Sequence, residues 1–122
     1  MISGISERTV TAPDGSRAVV VTPRGELDLA AIASLDSALR SALATAGSVP
    51  RLVVDLSDVD VLQPVVLGVL LDVRRRCRTV DVDLVLLVTT PGVASTLIEN
   101  EVDSLFDTAS GLEAAIAGVT GR

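Results

Sequence analysis

Between Arg51 and Cys77 the chain reads RLVVDLSDVDVLQPVVLGVLLDVRRRC, and this stretch constrains the fold more than any other. Leu52, Val53, Val54 and Leu56 form a short apolar run interrupted only by Asp55. That pattern predicts a strand covered on both faces, in the middle of a parallel sheet. An acidic loop, Ser57-Asp58-Val59-Asp60, comes next, followed by Val61-Leu62. Pro64 stands where a helix can begin, because the first helical residue has no intrahelical partner for its N–H. Beyond it Val66, Leu70, Val73 and Cys77 recur at helical spacing, with Leu67, Val69 and Leu71 beside them, and Asp72, Arg75 and Arg76 fall on the other side. The stretch therefore reads as buried strand, exposed loop and amphipathic helix.

The flanking segments fit around that unit. Residues 7–12 and 17–24 alternate about the turn Pro13-Asp14-Gly15-Ser16, which predicts two antiparallel strands at the sheet edge. In Gly25-Glu26-Leu27-Asp28, the glycine can take backbone angles closed to other residues, and Asp28 can cap a helix beginning at Leu29. Ile32, Leu35, Leu39 and Leu43 carry that helix, and Gly47 to Pro50 ends it. Val82–Val88 predicts a second buried strand. Thr90-Pro91 is a cap followed by a first-turn proline, for a helix to about Asn100. Leu105-Phe106-Asp107 is brief enough for an edge strand, and Ser110–Ala117 predicts a terminal helix with Leu112, Ala115 and Ile116 facing inward.

Composition narrows the chemistry. At 122 residues the chain is one domain, residues 1–122, with no repeat or linker. Phe106 is its only aromatic residue, which excludes a stacking platform for single-stranded nucleic acid. A net charge of −6 and a pI near 4.4 argue against nucleic acid and anionic membranes as partners. The longest apolar run, Val65–Leu71 with Gly68 counted, is too short to span a bilayer. No secretory signal is visible at the start and there is a single cysteine, so a cytoplasmic location is expected. Histidine and lysine are both absent, and all ten basic residues are arginines. The usual general bases and most zinc ligands are thus missing, and neither catalytic residues nor a cofactor are expected. Asp55, Asp58 and Asp60 lack a second donor segment and read as a strand-end residue with two solvated neighbours, not as a metal site. A helix spreads Arg74, Arg75 and Arg76 around its circumference, so with Arg78 they read as solvated or paired with carboxylates. Cys77 belongs to the apolar stripe and reads as core.

Two segments carry a family resemblance. Val54-Asp55-Leu56 with Leu67-Gly68-Val69-Leu70-Leu71, and Gly25-Glu26-Leu27-Asp28, resemble the signatures of the STAS domain, the fold of bacterial anti-sigma factor antagonists. The resemblance covers almost the whole chain. It implies an α/β domain with a four- to five-stranded mixed sheet and about four helices packed largely on one side. Between the matched segments the pattern departs from the family's aspartate-serine-serine-glycine. Gln63 stands for the aspartate, Pro64 and Val65 for the two serines, and Val66 for the glycine. The serine that typical members phosphorylate corresponds to Val65. Glu101 likewise occupies the place of a glycine that follows the short third helix.

The function this implies is protein binding. The expected surface comprises Asp28, Asp58, Asp60, Gln63, Pro64, Val65 and Val66, and the expected partner is an anti-sigma factor of the kinase-like ATPase type, whose capture frees a sigma factor. Phosphorylation is not expected at the usual position, since residues 63–66 carry no hydroxyl. Ser57, Thr89, Thr90 and Ser95 are other acceptors with no motif behind them. The segment 63–66 either binds without being switchable or has become core. Two further readings stand beside this one: a subunit of a signalling or transport assembly, and a small-ligand or nucleotide-binding module, for which there is no glycine-rich phosphate loop.

Overall fold

The computed structural model describes residues 2–46 and 50–118. Two long strands, β1 (Ile2–Thr11) and β2 (Arg17–Leu27), pair antiparallel, with Glu7 opposite Val21 and Val10 opposite Ala18. The turn between them closes through Asp14, whose carboxylate accepts the Ser16 N–H at 2.9 Å, and Gly15 takes φ 90°. A 3-10 turn, Leu29–Ala31, leads into α1 (Ile32–Ala46). The expected helix end at residues 47–49 lies outside the described residues.

Next come β3 (Arg51–Asp55), β4 (Val59–Leu62), a second 3-10 turn at Pro64–Val66, and α2 (Leu67–Thr79). After these follow β5 (Asp83–Leu87), α3 (Pro91–Glu99), β6 (Asp107–Ala109) and α4 (Leu112–Ala117). The sheet runs β1-β2-β3-β5-β6, with every pairing after the first hairpin parallel, and β4 pairs with β2 beyond the end of β3. The mixed α/β architecture is the expected one. Its sixth strand is β4, whose four residues pair with Gly25–Leu27 where the sequence suggests a loop.

Alternation along the central strands divides the core. Val19, Val21, Leu52, Val54 and Leu86 face a large apolar layer built from Leu35 and Leu39 of α1, Leu70 and Val73 of α2, and Val93 and Leu97 of α3. Val20, Val53, Val85 and Leu87 face the opposite layer, beneath Ala115 and Ile116 of α4. Three helices therefore cover one face and one short helix the other. Each buried leucine or valine contributes about 1.5–3 kcal/mol of transfer free energy. Arg51 fastens α4 to the sheet: its guanidinium donates to the Ile116 carbonyl at 2.5 Å and pairs with Asp83 at 3.2 Å.

Two boundaries differ from the sequence reading. The edge strand forms at Asp107–Ala109 and not at Leu105–Asp107, because Phe106 turns into the core beneath α3 after a 3-10 turn at Asp103–Leu105. The terminal helix starts at Leu112, and Leu112 is only partly buried. Thr90 precedes Pro91 as expected but makes no side-chain capping bond.

Candidate functional site

The site is assembled at the end of the sheet where β2 and β4 finish and α1 and α2 begin. Gly25 takes φ 94°, and its N–H donates to the Asp58 carbonyl at 3.0 Å. A residue with a Cβ is strained at that angle, so glycine lets β2 bend toward the loop from β3. Two residues on, the Leu27 carbonyl accepts the Gln63 N–H at 2.9 Å. The Gln63 amide also reaches the Glu26 carboxylate at 3.3 Å. These bonds draw the Gly25–Asp28 and Gln63–Val66 segments together, and the two 3-10 turns that follow them lie against each other.

Asp28 caps the first turn: one carboxylate oxygen accepts the Ala31 N–H at 3.2 Å. Asp58 is exposed and pairs with Arg24 at 3.5 Å, and Asp60 is exposed on β4. Asp55 is buried at the end of β3 and accepts both the N–H and the hydroxyl of Ser57. Asp55, Asp58 and Asp60 thus face different surroundings, and no group of potential metal ligands occurs among the described residues.

The second turn begins with an exposed Pro64. Its middle residue, Val65, is 49% exposed, while Val66 is 0% exposed and belongs to the core. Val66 therefore does not lie on the exposed surface where the sequence reading placed it. The 3-10 turn points it beneath the sheet end, where Leu67 and Leu70 also pack. Val65, which the sequence resemblance sets against the family's phosphorylated serine, is therefore at the surface. Leu29, which sequence reasoning treated only as a helix start, is 70% exposed beside it. Its exposure follows from its place between the capping Asp28 and the inward-facing Ala31 two residues on, a signal too local for apolar periodicity to register.

The remaining candidates are structural. Arg75 and Arg76 both bond Asp72, at 2.6 and 2.8 Å, and hold its carboxyl down to about 2. Arg74 donates to the Leu105 carbonyl at 2.6 Å. Cys77 lies in the core, and burial pushes its thiol up to about 11. A half-open groove of about 430 Å³ lies between α3 and β6. Its floor includes Leu97 and Phe106, its rim Ser104 and Thr108, and no basic side chain lines it. Such a lining has no cationic side chain to pair with a nucleotide's phosphates. No helix among the described residues is long and apolar enough to cross a membrane.

The mixed sheet thus carries three helices on one face, and two helix starts adjoin at one of its ends. The family model for the STAS domain matches residues 9–115, and the chain belongs to that family. Among solved structures it is similar to an anti-sigma factor antagonist from Mycobacterium paratuberculosis, with 24% identity, 95% of this chain and 94% of that chain covered, and a TM-score of 0.73. A putative anti-sigma factor antagonist from Thermotoga maritima matches with 17% identity, 93% of each chain and a TM-score of 0.76. The antagonist SpoIIAA in its unphosphorylated form matches with 21% identity, 98% of this chain and 100% of that chain, and a TM-score of 0.67. No curated protein sequence matches significantly.

Proposed function

We propose that the chain is a cytoplasmic anti-sigma factor antagonist that binds without an on-site phosphorylation switch. It captures an anti-sigma factor of the kinase-like ATPase type and so frees a sigma factor, acting by binding and not by catalysis. The contact surface is Asp28, Asp58, Asp60, Gln63, Pro64 and Val65.

One observation carries this reading: Val65 is exposed at the centre of the Pro64–Val66 turn, at the place corresponding to the family's phosphorylated serine. Phosphoryl transfer needs a hydroxyl acceptor, and residues 63–66 provide none. The nearest upstream hydroxyl, Ser57, is tied to buried Asp55, where a phosphate would meet a carboxylate. Family membership supports the partner class. SpoIIAA is known in phosphorylated and unphosphorylated forms that share this fold, so the scaffold accommodates the switch that this chain lacks at residue 65.

The test is to incubate the protein with a kinase-type anti-sigma factor of the source genome and ATP, then measure complex formation and intact mass. A stable complex with unchanged mass is the expected result. A stoichiometric gain of one phosphate with loss of binding would show that the switch operates at another residue.

A further inference from the structure

Two exposed apolar side chains stand on the adjoining turns where α1 and α2 begin. Leu29 opens one 3-10 turn and Val65 stands in the middle of the other. Both turns are anchored from below, because Ala31 and Val66 are fully buried. They are also fixed locally: Asp28 holds the Ala31 N–H, and the Val66 N–H donates to the Gln63 carbonyl at 3.0 Å. The backbone therefore has little freedom to withdraw either side chain from water. An isolated exposed leucine is ordinary, whereas adjoining apolar groups on two rigid turns make a patch. The segments leading into these turns are acidic, with Glu26 and Asp28 before the first and Asp58 and Asp60 on the way to the second, and Arg24 is set against Asp58.

We infer that Leu29 and Val65 together anchor the partner, and that the partner's complementary face is a shallow apolar pocket with a basic rim. This rests on the antagonist reading above and deepens it, since it assigns the binding energy to a residue outside the family motif. With valine at residue 65, burial of this pair supplies affinity where other members have a polar hydroxyl. The acidic surround selects a cationic partner surface and speeds encounter, while desolvation of the two apolar groups governs how long the complex lasts.

The experiment measures association and dissociation rates against each purified anti-sigma factor of the source genome, for the wild type, Leu29→Ala and Val65→Ala. Leu29→Ala should raise Kd about tenfold or more, chiefly through faster dissociation. Val65→Ala should act in the same direction with a smaller effect. Raising the salt concentration should slow association of the wild type and leave its dissociation rate nearly unchanged. Melting temperatures of both variants serve as the folding control and should stay close to the wild type, since both side chains are exposed. If the wild type binds and both variants stay within twofold of it, the anchor is overturned while the antagonist reading stands. If salt speeds association, the basic rim is overturned. If the wild type binds none of the anti-sigma factors, both readings fall.

Discussion

The Leu27 carbonyl accepts the Gln63 N–H at 2.9 Å, joining segments 36 residues apart in the chain. This bond continues the β2–β4 ladder by one step and brings the two helix starts side by side. Asp28 then has two tasks at one place, capping the Leu29–Ala31 turn and contributing charge to the candidate surface. A binding test that replaces Asp28 therefore disturbs the fold as well. Asp28→Ala should cost about 0.5–2 kcal/mol in urea unfolding, and Asp28→Asn much less, because asparagine caps comparably.

Restoring the acceptor tests the regulatory reading from the other side. Val65→Ser places a hydroxyl on the exposed centre of the second turn. With a kinase-type anti-sigma factor and ATP, this variant should gain one phosphate by intact mass, and its complex should dissociate. The wild type should do neither.

Glu101 should be a site of stored backbone strain. It takes φ 58° after α3, and the chain closes there with the Val102 N–H on the Leu97 carbonyl and the Glu101 N–H on the Ile98 carbonyl, both at 3.0 Å. That is a Schellman ending, whose left-handed position favours glycine. Glu101→Gly should stabilise the protein by about 1 kcal/mol in chemical denaturation.

The Cys77 thiol should be inert at neutral pH and set an alkaline limit. Its folded-state value of about 11 lies above the ordinary 9.0. As pH rises from 9 to 11 the unfolded chain loses this proton while the folded protein keeps it. Stability therefore falls across that window, by about 2–3 kcal/mol from this group. A thiol reagent at pH 8 should label Cys77 only on unfolding. The alkaline loss of stability should be shallower in Cys77→Ala, measured against that variant's own stability at pH 7.

Asp72 sets a dependence at the acid end. Its folded-state value of about 2 lies below the ordinary 3.8, held there by Arg76 and Arg75. The ion pairs' contribution is present above pH 3.8 and is lost as pH falls through 2. Asp72→Asn should flatten the stability curve between those values in acid titrations followed by circular dichroism.

Apolar periodicity alone determined β3, β5, α1 and α2, because buried strands and amphipathic helices each impose a repeat that a short window of sequence displays. The chemistry of single residues added the helix start at Pro64 and the capping role of Asp28. Tertiary structure alone decided several further features. Val59–Leu62 is too short and too acidic to read as a strand, and becomes one only because β2 extends beyond β3 and offers an unpaired edge. Val65 and Val66 are chemically identical, yet a 3-10 turn exposes one and buries the other. Phe106 looks like a strand residue until the core beneath α3 claims its ring and moves the strand to Asp107–Ala109. Leu29 and Val65 are 36 residues apart in the chain. That their turns adjoin depends on backbone bonds from Gly25 and Leu27 to the residues around β4, and hydrogen bonds over that separation leave no trace in local composition.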